Sequence, residues 1–329
     1  VAKLFITGAT GFIGGFIVNH ALDAGLEVYA AVRKSSNSQE LLQKGVTCLP
    51  WDFENPTLVK EILKQYQFDY VIYNAGLTKH QSQDELNKVN AGYVKTFLDA
   101  ALQANVQFKK FIYTSSLASY GPADGSEHGI IDSRMTPRPV TMYGVSKLKA
   151  EKIIESYDDL PYLIYRPTAV YGPKERDLLA VFKMINKGLE VKLGAKEQKL
   201  SFIYVEDLAR LLIKGMLSSA VRKGYFVSDG NTYTSDQLNQ YIKSYLNRKT
   251  ISVTLPVGLL KVISKISESM GKITQSYPIL NQDKLNELTA ESWICDTAEC
   301  FEDSDFVPEF PLDKGVPLTI DWYKHNNWL

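Results

Sequence analysis

One short stretch near the start constrains the fold more than any other. Lys3-Leu4-Phe5-Ile6-Thr7 is almost wholly apolar, and Gly8-Ala9-Thr10-Gly11-Phe12-Ile13-Gly14 follows at once, its glycines three apart. Phe12, Ile13, Phe16, Ile17 and Ala21 then recur at helical spacing. A buried strand that turns directly into a helix needs one glycine for the turn. A second lets the backbone approach a pyrophosphate, and a third lets helix and strand pack closely. The first turn of the helix adds free N–H groups and the positive end of its dipole. The pattern therefore predicts a dinucleotide cradle built from Gly8, Thr10, Gly11, Phe12, Ile13 and Gly14.

The rest of the first half alternates short β-branched runs with longer helical patterns, which argues for a parallel sheet with helices on both faces. Strands are expected at Glu27 to Val32, Val46 to Leu49, Tyr70 to Tyr73, Lys110 to Thr114, Tyr162 to Tyr165 and Gly224 to Val227. These read as runs apolar on both faces, as buried parallel strands do. Long helices are expected over about 84–104 and 141–157. Ser201 to Val205 reads as another strand, and Leu208 to Met216 as a helix. Thr234 and Gln237 have capping-box spacing ahead of a further helix. The fold class is α/β: a Rossmann, doubly wound parallel sheet of seven strands with a smaller, mainly helical C-terminal lobe. Residues 1–173 and 199–229 are assigned to the nucleotide-binding domain, and 174–198 and 230–329 to the substrate lobe. Within that lobe Pro256 to Met270 is amphipathic, with Leu259, Leu260, Val262, Ile263 and Ile266 as its apolar residues. These are expected to pack inward, with docking on a membrane surface as the alternative.

Charge and cysteine content exclude several classes of function. The 329 residues carry 37 Lys and Arg against 37 Asp and Glu, with no basic tract, so nucleic acid is not an expected partner. No apolar run reaches the roughly 18 residues of a membrane span, and the start shows no signal-peptide pattern. Cys48, Cys295 and Cys300 lack zinc-ligand spacing, and His20, His80, His128 and His325 are scattered, so no metal is expected. Few cysteines and no leader fit a cytoplasmic protein.

Chemistry enters with Tyr143-Gly144-Val145-Ser146-Lys147. Positions four apart share a helix face, and an ammonium beside a phenol favours phenolate, so Lys147 is expected to lower the Tyr143 pKa. Thr114-Ser115-Ser116 falls at the end of the fifth strand, where open parallel sheets bind ligands. With Asn74-Ala75-Gly76, Arg166-Pro167-Thr168-Ala169-Val170-Tyr171-Gly172-Pro173 and Phe202-Ile203-Tyr204-Val205-Glu206-Asp207, the set resembles the extended short-chain dehydrogenase/reductase family, which includes nucleotide-sugar epimerases and dehydratases. The resemblance covers residues 1–229 closely and continues more loosely through Pro278-Ile279-Leu280-Asn281-Gln282-Asp283-Lys284. It implies Tyr143 as acid/base, Lys147 as its tuner and ribose ligand, and Ser116 as the group that orients the substrate oxygen. Asp52, Phe53, Asn74, Ala75, Gly76, Asn90 and Pro167 would line the cofactor. A homodimer through the two long helices is implied in the same way.

Several positions depart from the family pattern. Arg33 and Lys34 follow the second strand where an NAD-specific site usually has an acid, which suits the 2′-phosphate of NADP, with NAD as the alternative. Leu117-Ala118 replaces the Asp-Glu pair of the 4,6-dehydratases. Lys199 stands where many nucleotide-sugar enzymes place a diphosphate-binding arginine. Thr78, Lys79, Leu117 and Lys199 are the candidate substrate residues. The C-terminal lobe looks more like that of 3β-hydroxysteroid-dehydrogenase-like and dihydroflavonol-reductase-like proteins. The expected activity is NAD(P)-dependent interconversion of a hydroxyl and a carbonyl on a small molecule. A nucleotide-sugar epimerase that retains its cofactor and a non-enzymatic dinucleotide sensor are the other readings.

Overall fold

The computed structural model describes residues 1–123, 129–193, 197–274, 278 and 280–329. His128, Ile279 and residues 194–196 of the expected 174–198 excursion lie outside them. The first strands are β1 (Lys3–Thr7), β2 (Glu27–Val32), β3 (Thr47–Pro50), β4 (Tyr70–Tyr73), β5 (Lys110–Thr114) and β6 (Tyr162–Pro167). Shorter ones follow: β7 (Ala169–Tyr171), β8 (Leu189–Leu193), β9 (Lys199–Leu200) and β10 (Phe202–Tyr204). Then come β11 (Lys223–Val227), β12 (Tyr233–Thr234), β13 (Ile251–Leu255) and β14 (Ser292–Trp293). The main sheet is seven-stranded, in the order β11-β6-β5-β4-β1-β2-β3, with every pair parallel. Strand order reverses between β1 and β4, the switch point at which such sheets open a crevice for ligands.

Alternation along β1 builds both faces. Leu4 and Ile6 pack against Ile17 and Val18 of α1 (Phe12–Asp23) and Leu208 and Leu212 of α8 (Val205–Leu217). Phe5 points the other way. It joins Leu63 of α3 (Pro56–Tyr66), Phe97 of α5 (Tyr93–Gln103) and Ile154 of α6 (Met142–Glu155). Full burial of such side chains stabilises the fold by about 1.5–3 kcal/mol each. A third core holds the smaller lobe. Phe182 of α7 (Leu179–Asn186), Leu238 and Ile242 of α9 (Ser235–Leu246), and Val316 and Ile320 of α13 (Leu312–His325) meet there. The capping box at α9 is formed in both directions between Thr234 and Gln237. α12 (Ala298–Ser304), from the stretch grouped with the lobe, packs Cys300 into the core beside α8.

Two elements differ from the sequence expectation. The helix expected over 84–104 is broken into α4 (Gln83–Asn87), a π-helical turn (Lys88–Gly92) and α5. The extra residue in that turn lies around Asn90, which is buried and bonded to a neighbouring loop. The second difference is α10 (Val257–Thr274). Leu260 and Ser264 are buried, but Leu259, Val262, Ile263 and Ile266 lie exposed, so the expected inward packing of that stripe does not occur. The protein has taken up a different face of the helix, the one with Leu260 and the small serine.

Candidate active site

Parallel strands bring every predicted loop to one edge of the sheet. The Gly8–Gly14 turn follows β1, Arg33 and Lys34 follow β2, Asp52 and Phe53 follow β3, and Asn74–Gly76 follow β4. Ser116 follows β5, and Pro167 ends β6. The turn after β1 is as tight as its glycines demand. Gly8 has φ +72°, and a Cβ there would stand 2.9 Å from the Ala75 nitrogen. A Cβ on Gly14 would stand 2.0 Å from the Gly8 carbonyl oxygen, so only glycine lets α1 start that close to β1. The Thr7 hydroxyl accepts hydrogen bonds from the Asn74 and Ala75 amides at 3.1 and 3.0 Å, which fixes the two sides of the crevice. No side chain caps α1, so its first amides remain for a ligand. Thr10 and Gly11 are exposed, while Arg33 and Lys34 are exposed beyond β2. This edge fits a dinucleotide: an open helix N-terminus, a backbone stripped of side chains and two free-standing cations.

The residues expected to handle protons come from α6 and the end of β5. Thr141 caps α6 by accepting from the Gly144 amide at 3.0 Å. Tyr143 then lies in its first turn, with the Ser116 side chain near enough to its phenol to favour the phenolate. Burial raises the Tyr143 pKa above its ordinary value, the Ser116 side chain opposes this, and the Glu287 carboxylate adds to the rise. This reverses the expected direction, and the geometry gives the reason. The Lys147 ammonium donates to the Thr114 carbonyl at 2.8 Å and stands 5.9 Å from the centre of the Tyr143 ring. Its own pKa is pushed down to about 7 by burial, against the Glu151 carboxylate, which favours the charged form. Lys147 Nζ would be 3.3 Å from a Cβ on Gly76, so it lies at the cofactor side of the crevice.

Asn90 explains the π-turn. Its carboxamide oxygen accepts from the Leu77 amide at 2.7 Å. Its nitrogen donates to the Leu77 carbonyl and to Ser146 Oγ, both at 2.8 Å. Ser146 in turn donates to the Tyr143 carbonyl at 2.7 Å. One side chain thus ties the β4 loop to α6. Such π-turns often mark functional sites.

The remaining predicted residues are placed differently. Phe53 stacks on Tyr93, with ring centres 5.1 Å apart, and Asp52 turns its carboxylate to the Glu54 amide at 2.9 Å. Thr78 lies in the loop after β4. Next to it, Lys79 is ion-paired with Asp177, linking that loop to the segment after β7. Leu117 is buried in a small apolar cluster with Ala123, Ile131 and Phe226. Lys199 lies on β9, between β12 and β14, with an exposed side chain.

Two features escaped the sequence reading. Glu151, one helical turn beyond Lys147, bonds Ser115 and pairs with Arg166 at 2.9 Å, both partners of the pair being deeply buried. Its spacing from Lys147 was the available signal. The other lies on α11 (Gln282–Thr289). Asp283 accepts from the Met142 amide at 2.7 Å, and Asn286 donates to the Val140 carbonyl at 2.9 Å, so the small lobe grips the start of α6. Nothing in residue spacing could join segments 141 positions apart.

Residues 4–225 match the NAD dependent epimerase/dehydratase family. The chain is 25% identical to a ceramide reductase of Caulobacter vibrioides over 98% of its own length and 95% of the relative's. It is 24% identical to a 2-alkyl-3-oxoalkanoate reductase of Shewanella oneidensis, over 96% and 85%. It is 25% identical to a UDP-glucose 4-epimerase of Vibrio cholerae, over 80% and 82%. Among solved structures, the UDP-glucose 4-epimerase of Thermotoga maritima with UDP-glucose superposes with a TM-score of 0.79 at 19% identity, covering 99% of each chain.

Proposed function

From a chain that belongs to the NAD dependent epimerase/dehydratase family, and is thus an enzyme of the extended short-chain dehydrogenase/reductase kind, we propose an NADP-dependent reductase of a carbonyl compound. The observation that carries this reading is the grouping of Ser116, Tyr143 and Lys147 at the open edge of the sheet, with the Lys147 ammonium 5.9 Å from the centre of the Tyr143 ring. A bound nicotinamide supplies hydride chemistry, and the protein supplies position and protons. Ser116 holds the carbonyl oxygen. Tyr143, kept neutral by burial, gives that oxygen its proton as the carbon is reduced. Lys147 sits where it can reach the ribose side and balance charge near the phenol.

Arg33 and Lys34 supply the 2′-phosphate recognition that separates NADP from NAD. The named reductases among the relatives align over nearly the whole chain, small lobe included. Both names describe chemistry on molecules with alkyl chains, so a carbonyl compound with an alkyl tail is the proposed substrate class. The epimerase reading rests on the epimerase relative and fold neighbour. Against it stands Lys199, which lacks the fork geometry of a diphosphate-binding arginine. A homodimer through the α5 and α6 faces belongs to the same proposal. The test is reduction of 3-oxoalkanoates by NADPH, followed in wild type and in Tyr143→Phe. Turnover that survives this substitution would place the acid elsewhere.

A further inference from the structure

The outward stripe of α10 lies apart from the residues of the candidate active site. Leu259, Val262, Ile263 and Ile266 are spaced as one helical face and are 46, 54, 39 and 56% exposed. Leu260, 3% exposed, and Ser264, 1% exposed, define the face held by the protein, about a third of a turn away. A surface helix of a water-soluble protein ordinarily does the reverse. The strand leading into the helix continues the pattern. On β13, Ile251 is 75% exposed, while the intervening Ser252 hydroxyl turns inward to Glu190 at 2.9 Å. Exposed apolar surface of this extent marks an interaction site.

The charges choose the occupant. From Arg248 to Ile266 the chain has four cations, Arg248, Lys249, Lys261 and Lys265, and no acid, in a protein whose total charge is zero. Lys261 and Lys265 are exposed on the same helix, Lys265 beside the edge of the stripe and Lys261 farther round from it. Glu268, farther along the helix, is engaged by the Gln282 amide at 2.6 Å. We propose that α10 and β13 form a docking surface for an anionic lipid bilayer, with the stripe entering the interface and the cations meeting headgroups. The surface adjoins the site: α10 packs on α11, whose Asp283 and Asn286 hold the start of α6. The docking itself does not depend on which reaction the site performs.

The test is co-sedimentation of the full chain with vesicles of phosphatidylcholine alone and of phosphatidylcholine with phosphatidylglycerol. Wild type should sediment with the anionic vesicles, and added salt should weaken the binding. Lys261→Glu/Lys265→Glu should lower the bound fraction by roughly tenfold or more. Leu259→Ser/Ile266→Ser should abolish binding while the melting temperature holds, since these side chains are exposed. Absence of wild-type binding to anionic vesicles would overturn the proposal, as would binding indifferent to both double variants. Loss of a dimer in Leu259→Ser/Ile266→Ser, with no vesicle binding by wild type, would assign the stripe to a contact between copies instead.

Discussion

At the scale of single residues, the account turns on two protons. Tyr143→Phe removes only the transferable one, so turnover should fall by roughly 10²–10⁴-fold while cofactor affinity stays near wild type. Steady-state kinetics and a cofactor titration check both halves. Lys147 carries a different signature. Its pKa is pushed down to about 7 by burial. The folded chain therefore binds fewer protons than the unfolded chain between about pH 7 and the ordinary lysine range, and its contribution to stability rises with pH across that window. Below about 7 the charged form stays buried at full cost. Lys147→Met should raise the unfolding midpoint most near neutral pH, and less toward about pH 9. A gain that grew with pH would contradict the assignment. Tyr143 and Lys147 were both legible from the spacing of the sequence. The direction of the tyrosine shift was not, because it depends chiefly on burial, which spacing does not reveal.

At the scale of elements, what the sequence revealed was local. The β1 turn, the parallel strands and the α9 capping box all follow from residues a few positions apart, and all are present. What stayed hidden depends on distant partners. The π-turn forms because Asn90 serves Leu77 and Ser146 together. The orientation of α10 depends on which face the lobe takes up, and periodicity defines a face without saying where it points. The Glu151–Arg166 pair belongs here too, as it locks α6 to β6. Glu151→Gln leaves a buried guanidinium without its partner and should cost about 3–5 kcal/mol, measured by denaturant unfolding. Replacing both partners with apolar residues of similar volume should cost much less. Equal losses would mean that the pair matters for packing alone.

At the scale of the whole molecule, the sheet edge acts as the common floor on which separate loops are assembled. Arg33 and Lys34 extend that floor at its outer side. Arg33→Ala should weaken NADP binding by about 1.5–3 kcal/mol and change NAD binding little, as read by calorimetric titration. Wild type that bound both cofactors equally would remove the basis for an NADP preference. The small lobe is tied to this floor, because α11 holds the start of α6 and packs against α10. The most direct test of the central claim is absorbance at the reduced-nicotinamide band, with NADPH and 3-oxoalkanoates of graded chain length offered beside UDP-glucose. The account predicts one NADPH consumed per hydroxyl formed on a 3-oxoalkanoate, and loss of that signal in Tyr143→Phe. Epimerisation of UDP-glucose with no net change in the band, by a cofactor that survives desalting, would contradict it.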